Sequence, residues 1–171
     1  MTNGTVVFAG GGSGGHLFPG LAVADELVMR NPELNILFVG SRRSIECSIL
    51  NESQFSSLSL DAAPSTLLRK NPVKFLWRYW RSISQAKITL RELQANVVVG
   101  LGGYASVPVV SAAASLGIPS ALLEQNVVAG RANRWLSRRA NLVCHAFEEA
   151  ISSTPNARKC RVTGNPIRHI I

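Results

Sequence analysis

The chain has 171 residues, 46% of them hydrophobic and 16% charged, a balance that gives one domain with a sizeable core and excludes a disordered chain. No apolar run approaches the ~20 residues of a membrane-spanning helix, and the start, MTNGTVVFAGGG, lacks the basic and apolar segments of a secretory signal. The net charge of +8 points to an anionic partner, and three widely spaced cysteines, Cys47, Cys144 and Cys160, suit a reducing compartment rather than a disulfide framework or a zinc site.

In chain order, TVVFAG (5–10) predicts the first strand. A glycine turn follows, with Gly10, Gly11, Gly12, Gly14 and Gly15 around Ser13, and it ends in His16. Pro19 suits a first helical turn, where its missing N–H costs nothing. A helix is therefore expected over about 19–30, with His16 projecting from the loop before it. Next come a strand at 35–40, a helix at 43–53, a weaker strand at 55–60 and a long helix at 73–94. A strand at 96–100 leads into a second glycine-rich turn, Gly100, Gly102 and Gly103, followed by Tyr104, Ser106 and a helix over 105–116. A strand at 118–123, a helix at 129–139, a strand at 141–146 and a weaker strand at 159–164 complete the pattern. Apolar strands alternating with helices imply a Rossmann-like α/β fold, a parallel sheet covered on both faces. No linker or repeat divides 1–171. Such sheets bind ligands at the carboxyl ends of their strands, where both glycine turns fall. The two turns are expected to face each other across one ligand, with helix N-termini favouring negative charge.

Several chemistries compete for the first turn. Gly10, Gly12 and Gly15 match G-x-G-x-x-G, and Arg42 and Arg43 after the second strand suit the 2′-phosphate of NADP, which gives an oxidoreductase reading. A tight turn with no ligand is the plainer alternative. A phosphate loop of the NTPase type is excluded, since G-x-x-x-x-G-K-[ST] does not occur. Of the three histidines, His16 alone lies in a glycine loop; His145 falls in a predicted strand and reads as structural, and His169 ends the chain. A histidine there can act as a base near neutral pH. Asp25 and Asp61 are the only aspartates, so no D-x-D pair is present to hold a divalent cation. Glu124 is the single acid in these motif regions, which excludes the facing carboxylates of a glycosidase.

Seven basic residues lie between Arg69 and Arg91 with no acid among them. On a helical wheel of 73–90, Val73, Leu76, Trp80, Ile83 and Leu90 share one face, Lys74, Arg78 and Arg81 the opposite one, and Phe75 and Trp77 the borders. The apolar face is expected to pack on the sheet. Phe75, Trp77, Lys74, Arg78 and Arg81 are candidates for contact with an anionic membrane surface. No nucleic-acid motif accompanies the charge.

Four segments, GGSGGHLFPGLAVA (11–24), GLGGYASVPVVSAAASLGIPSALLEQN (100–126), AGRANRWLSRRA (129–140) and VTGNPIR (162–168), together resemble the MurG family. These are bacterial glycosyltransferases that move N-acetylglucosamine from UDP-N-acetylglucosamine to lipid I, the undecaprenyl-linked muramyl peptide of peptidoglycan synthesis. The resemblance implies the N-terminal, acceptor-binding half of a GT-B enzyme that inverts the anomeric centre, needs no metal or other cofactor, and sits peripherally on the cytoplasmic face of the inner membrane. It places Ser13, Gly14, Gly15, Asn126 and Arg168 by the donor. It places Gly102, Gly103, Tyr104, Ser106, Glu124 and Gln125 by the acceptor, and makes His16 the base. Ser13 stands where the family usually has Thr. Leu123 stands where it often has His, which would remove a polar group near the cleft. The family's C-terminal donor domain has no counterpart here, so the chain is expected to be part of a longer or split enzyme and inactive alone.

Overall fold

A computed structural model of the chain describes residues 4–11, 14–41, 44–62 and 65–167. Seven strands, β1 (Thr5–Gly10), β2 (Asn35–Gly40), β3 (Ser56–Ser59), β4 (Ala95–Gly102), β5 (Ser120–Glu124), β6 (Leu142–His145) and β7 (Cys160–Val162), form one sheet in the order β3-β2-β1-β4-β5-β6-β7. Every pairing is parallel. Both weakly signalled strands are therefore real, each at a sheet edge. The helices are α1 (Gly14–Arg30), α2 (Ser44–Asn51), α3 (Ser65–Lys70), α4 (Pro72–Glu92), α5 (Gly103–Leu116), α6 (Arg131–Leu136) and α7 (Glu149–Ser152). After β3 the chain crosses back through α3 and α4 and re-enters the sheet on the other side of β1. That reversal, between β1 and β4, is the switch point at which such sheets bind ligands.

Strand alternation divides the core into two layers. Val7, Ala9, Leu37 and Val39 pack with Ile83, Ala86 and Leu90 of α4 and Val109, Val110 and Ala113 of α5. Val6, Phe8, Ile36 and Phe38 pack with Leu17, Leu21 and Ala24 of α1 and Leu50 of α2. The rings of Phe8 and Phe38 stack 4.9 Å apart. Asn71 starts α4 by accepting the Lys74 N–H at 2.9 Å, with Pro72 in the first turn, where each residue type is favoured.

Two expectations need correction. First, α1 begins at Gly14, not near Pro19, so His16 lies in its first turn rather than in the loop. The first four N–H groups of a helix have no internal partner in any case. Pro19 forfeits only the bond that would reach the Gly15 carbonyl, while burial of Leu17, Leu21 and Ala24 holds the whole segment on the sheet. Second, the predicted apolar face of α4 is buried only in part. Val73, Leu76 and Trp80 are 78%, 54% and 59% exposed. The buried stripe is Ser82, Ile83, Ala86 and Leu90, because the core lies beneath the second half of the helix. The first half borders solvent and a cleft.

Candidate active site

The site is built where β1 and β4 end side by side. Gly10 pairs with Gly102 across a shift in register. Gly103 adopts φ +72°, and a Cβ there would strike the carbonyl oxygen of Gly11. The two glycine turns thus touch each other directly, and are not separated by a ligand as expected. Close packing of two strand ends at the switch point leaves no room for side chains on Gly10 and Gly103.

His16 lies above this seam, half-buried. A Cβ at Gly102 would come within 3.4 Å of its Cε1. His16 lines a cleft of about 660 Å³, walled by the first half of α4, the start of α5 and the segment from Glu124 to Trp135. Its Nδ1 lies 3.1 Å from Oε1 of Gln125. With Nδ1–H donating to that carbonyl oxygen, Nε2 carries the free lone pair, the tautomer a base needs.

Glu124 is only 2% exposed, and both of its oxygens are engaged by the segment that follows. Oε1 accepts from the N–H and Nδ2 of Asn126 at 3.0 and 2.8 Å, and Oε2 from the N–H of Gly130 and Nδ2 of Asn133 at 2.8 and 3.0 Å. Asn133 Nδ2 also donates to the Leu123 carbonyl at 2.8 Å. This carboxylate shapes the cleft wall by holding a loop that has no regular hydrogen bonding of its own.

Of the residues singled out in the sequence, His16, Gly102, Gly103, Tyr104, Glu124, Asn126 and Phe75 line the cleft. Gln125 does not; it stands behind His16. Ser106 is fully buried, and its Oγ donates to the Gly103 carbonyl at 2.9 Å, so it braces the turn instead of lining the cleft. Gly14 and Gly15 form the start of α1. Leu123 packs in the core layer beneath α1, so the missing histidine affects packing and not the cleft. Trp77, Lys74 and Arg81 are exposed, with the Arg81 guanidinium 5.4 Å from the Trp77 ring. Arg78 is less exposed and forms an ion pair with Asp61. Gly12, Ser13, Arg42, Arg43, Arg168 and His169 lie outside the described residues. The sequence reading missed Tyr79, Val107, Arg131, Asn133 and Trp135, all of which line the cleft. The last three sit in AGRANRWL, a segment whose pattern was evident but whose direction of burial was not.

His145 is indeed structural. It is fully buried, with Nε2 3.3 Å from Cys160 Sγ and 3.4 Å from Thr154 Oγ1. Burial pushes its pKa below the usual histidine value, a trend the neighbouring Glu124 charge opposes. Burial likewise pushes the Cys144 and Cys160 thiols up.

A Rossmann-type sheet in this order, with a cleft at its switch point, is a doubly wound, ligand-binding α/β fold, and its likeness to a MurG crystal structure makes it the N-terminal half of a GT-B fold. The chain belongs to glycosyltransferase family 28, whose N-terminal domain matches residues 6–145. It is 39% identical over 165 residues to the UDP-N-acetylglucosamine–N-acetylmuramyl-(pentapeptide) pyrophosphoryl-undecaprenol N-acetylglucosamine transferase of Syntrophus aciditrophicus, covering 95% of this chain and 45% of that protein. The enzyme of the same name from Citrifermentans bemidjiense is 40% identical over 166 residues, with 95% and 46% covered. The crystal structure of Acinetobacter baumannii MurG superposes with a TM-score of 0.79 at 30% identity, over 98% of this chain and 46% of that one. The chain thus spans about half the length of these relatives. Family membership leaves the dinucleotide reading of the glycine turn without support.

Proposed function

We propose that this chain is the acceptor-binding half of an enzyme that transfers N-acetylglucosamine from UDP-N-acetylglucosamine to a diphosphate-linked polyprenol muramyl peptide. The observation that carries the reading is His16, held by Gln125 at the mouth of a cleft at the switch point. The names of the relatives supply the two substrates. In this reading His16 Nε2 takes the proton of the acceptor sugar hydroxyl as its oxygen attacks the anomeric carbon. The bond from that carbon to the UDP oxygen breaks with its electron pair, and the centre inverts. Negative charge grows on the leaving diphosphate, where the unpaired N–H groups at the start of α1 and the resemblance-assigned Ser13, Gly14, Gly15, Asn126 and Arg168 would stabilise it. No step calls for a metal. A second domain would complete the donor pocket, so the chain alone is expected to be inactive.

The exposed Val73, Leu76, Trp77 and Trp80 beside Lys70, Lys74 and Arg81 support docking on an anionic membrane surface, where a polyprenol substrate resides. This shifts the membrane contact from the border residues to the exposed apolar half of α4 itself. Among the described residues no helix is long and apolar enough to cross a membrane; peripheral attachment at the cytoplasmic face is part of this reading, as the family resemblance implies.

The test is a chimera joining this chain to the C-terminal half of the S. aciditrophicus relative. His16→Ala should lower its kcat by roughly 10²–10⁴-fold with donor KM little changed. An unchanged kcat removes His16 from the role of base.

A further inference from the structure

We infer that the cleft contains an apolar subsite, between α4 and the α5–α6 wall, that binds the first isoprenoid units of the acceptor. The inference rests on the proposed transfer to a polyprenol-linked substrate. The cleft is chemically divided. Part of its lining is His16, Gly102, Gly103 and Asn126; another part is Phe75, Leu76, Tyr79, Val107, Pro108 and Trp135. Three separate helices supply this second group, so it does not follow from the amphipathic pattern of any one of them.

The aromatic rings form a continuous run. Phe75 and Tyr79 lie nearly parallel with centroids 6.1 Å apart. Tyr79 meets Trp135 edge-on at 6.4 Å within the cleft and Trp80 edge-on at 5.8 Å outside it. Arg139 covers Trp135 with its guanidinium 4.1 Å from the ring centroid. The run therefore leads from Trp135 on the cleft lining to the exposed apolar half of α4, at Leu76 and Trp80.

A soluble sugar or peptide does not match this lining. Sugars stack on one ring but need hydrogen-bonding partners around their edges, which Phe75, Leu76, Val107 and Pro108 do not offer. A ligand with an anionic head and a long unsaturated hydrocarbon tail matches both parts of the lining. Its diphosphate would lie toward the second glycine turn, at Gly102 and Gly103, its first isoprene units against Tyr79, Phe75 and Trp135, and the remaining tail would leave past Leu76 and Trp80. Apolar surface that lines a pocket and opens onto an exposed apolar patch is the arrangement expected of such a site.

The 171-residue chain should be titrated by calorimetry with methyl, geranyl and farnesyl diphosphate, each below its micelle concentration. Affinity is expected to rise at least tenfold from methyl to farnesyl. Phe75→Ser and Val107→Ser should each remove at least fivefold of that gain while leaving methyl diphosphate binding unchanged. Trp77→Ser, which faces solvent, should leave both unchanged. Circular dichroism identifies any variant that fails to fold; Phe75 stands on the exposed half of α4, so that variant is expected to stay folded. Binding of methyl diphosphate with no dependence on chain length overturns the subsite and leaves the acceptor reading intact. A gain that survives Phe75→Ser and Val107→Ser but is lost in Trp77→Ser also overturns it, by placing the tail on the outer face. Failure of all three ligands to bind overturns the acceptor reading and the subsite together.

Discussion

Replacing Glu124 by glutamine separates a structural carboxylate from a substrate-binding one. Four donors converge on this side chain: two from Asn126 on Oε1, and one each from Gly130 and Asn133 on Oε2. Glutamine keeps the shape but converts one oxygen to an NH₂ group. Whichever way the amide turns, two donors then face a donor. With the NH₂ toward Asn126, which is exposed, water can satisfy the displaced groups, so this orientation should prevail. Two hydrogen bonds to a charged acceptor are still lost, each worth about 1.5–3 kcal/mol, and rehydration returns part of that. The expected cost is about 2–4 kcal/mol, a large share of the ~5–15 kcal/mol that a domain typically has. Urea unfolding read by far-UV circular dichroism should show a lower midpoint with an unchanged slope. A variant within about 0.5 kcal/mol of the parent, well below the bonds removed, combined with weakened acceptor-analogue binding, would refute this reasoning and make Glu124 a ligand group.

Gln125→Leu removes the acceptor that fixes His16 in the Nδ1–H form. In the chimera kcat should fall about tenfold, or ~1.4 kcal/mol in the barrier, with acceptor KM little changed, and Gln125→Glu should restore most of the rate; equal rates for both variants and the parent would rule the positioning role out. His145 gives a pH test. Its folded pKa is depressed by burial, so below the unfolded value of ~6.5 the unfolded chain binds the extra proton and the fold loses stability, by at most about 1.4 kcal/mol per pH unit. Urea midpoints at pH 8, 6.5 and 5 should therefore fall on acidification, and His145→Leu should flatten that slope; an equally steep variant would assign the loss to other groups.

The sheet was legible because its strands are short, apolar and separated by glycine turns, and even the weak β3 and β7 were signalled. His16 stood out because it is the one histidine that directly follows a run of glycines, although it belongs to the first turn of α1. What escaped the sequence is long-range. Gln125 meets His16 across 109 positions, and nothing local marks the pair. Ser106 resembled a cleft residue because it follows the glycine turn, yet the helical geometry of α5 aims it at the Gly103 carbonyl. Periodicity found an apolar face on α4 without showing that the core covers only its second half. A face is buried only when another element lies over it, and that is settled by the packing of α4 against α5.

The glycines of the two turns divide by what fills the space beside them. At Gly103 the space is taken by the chain itself, since a Cβ would meet the Gly11 carbonyl oxygen, and the residue is held at φ +72°. Gly103→Ala should therefore cost about 2 kcal/mol or more, from ~1–2 kcal/mol of left-handed strain plus the separation of the two strand ends. At Gly14 the backbone is helical, and a Cβ would meet the edge of the Phe18 ring, 3.0 Å away, and make an ordinary contact with Ile49 Cδ1 at 3.7 Å. That ring is 47% exposed and can swing aside. Alanine also gains up to ~1 kcal/mol of helix preference over glycine, so Gly14→Ala should leave stability unchanged or raised. Any loss it causes should fall on binding of an anionic ligand at the start of α1. Urea midpoints measured for both variants beside diphosphate titrations decide the matter. Equal destabilisation by the two would mean that both glycines serve packing, and the start of α1 would lose its claim as a ligand contact.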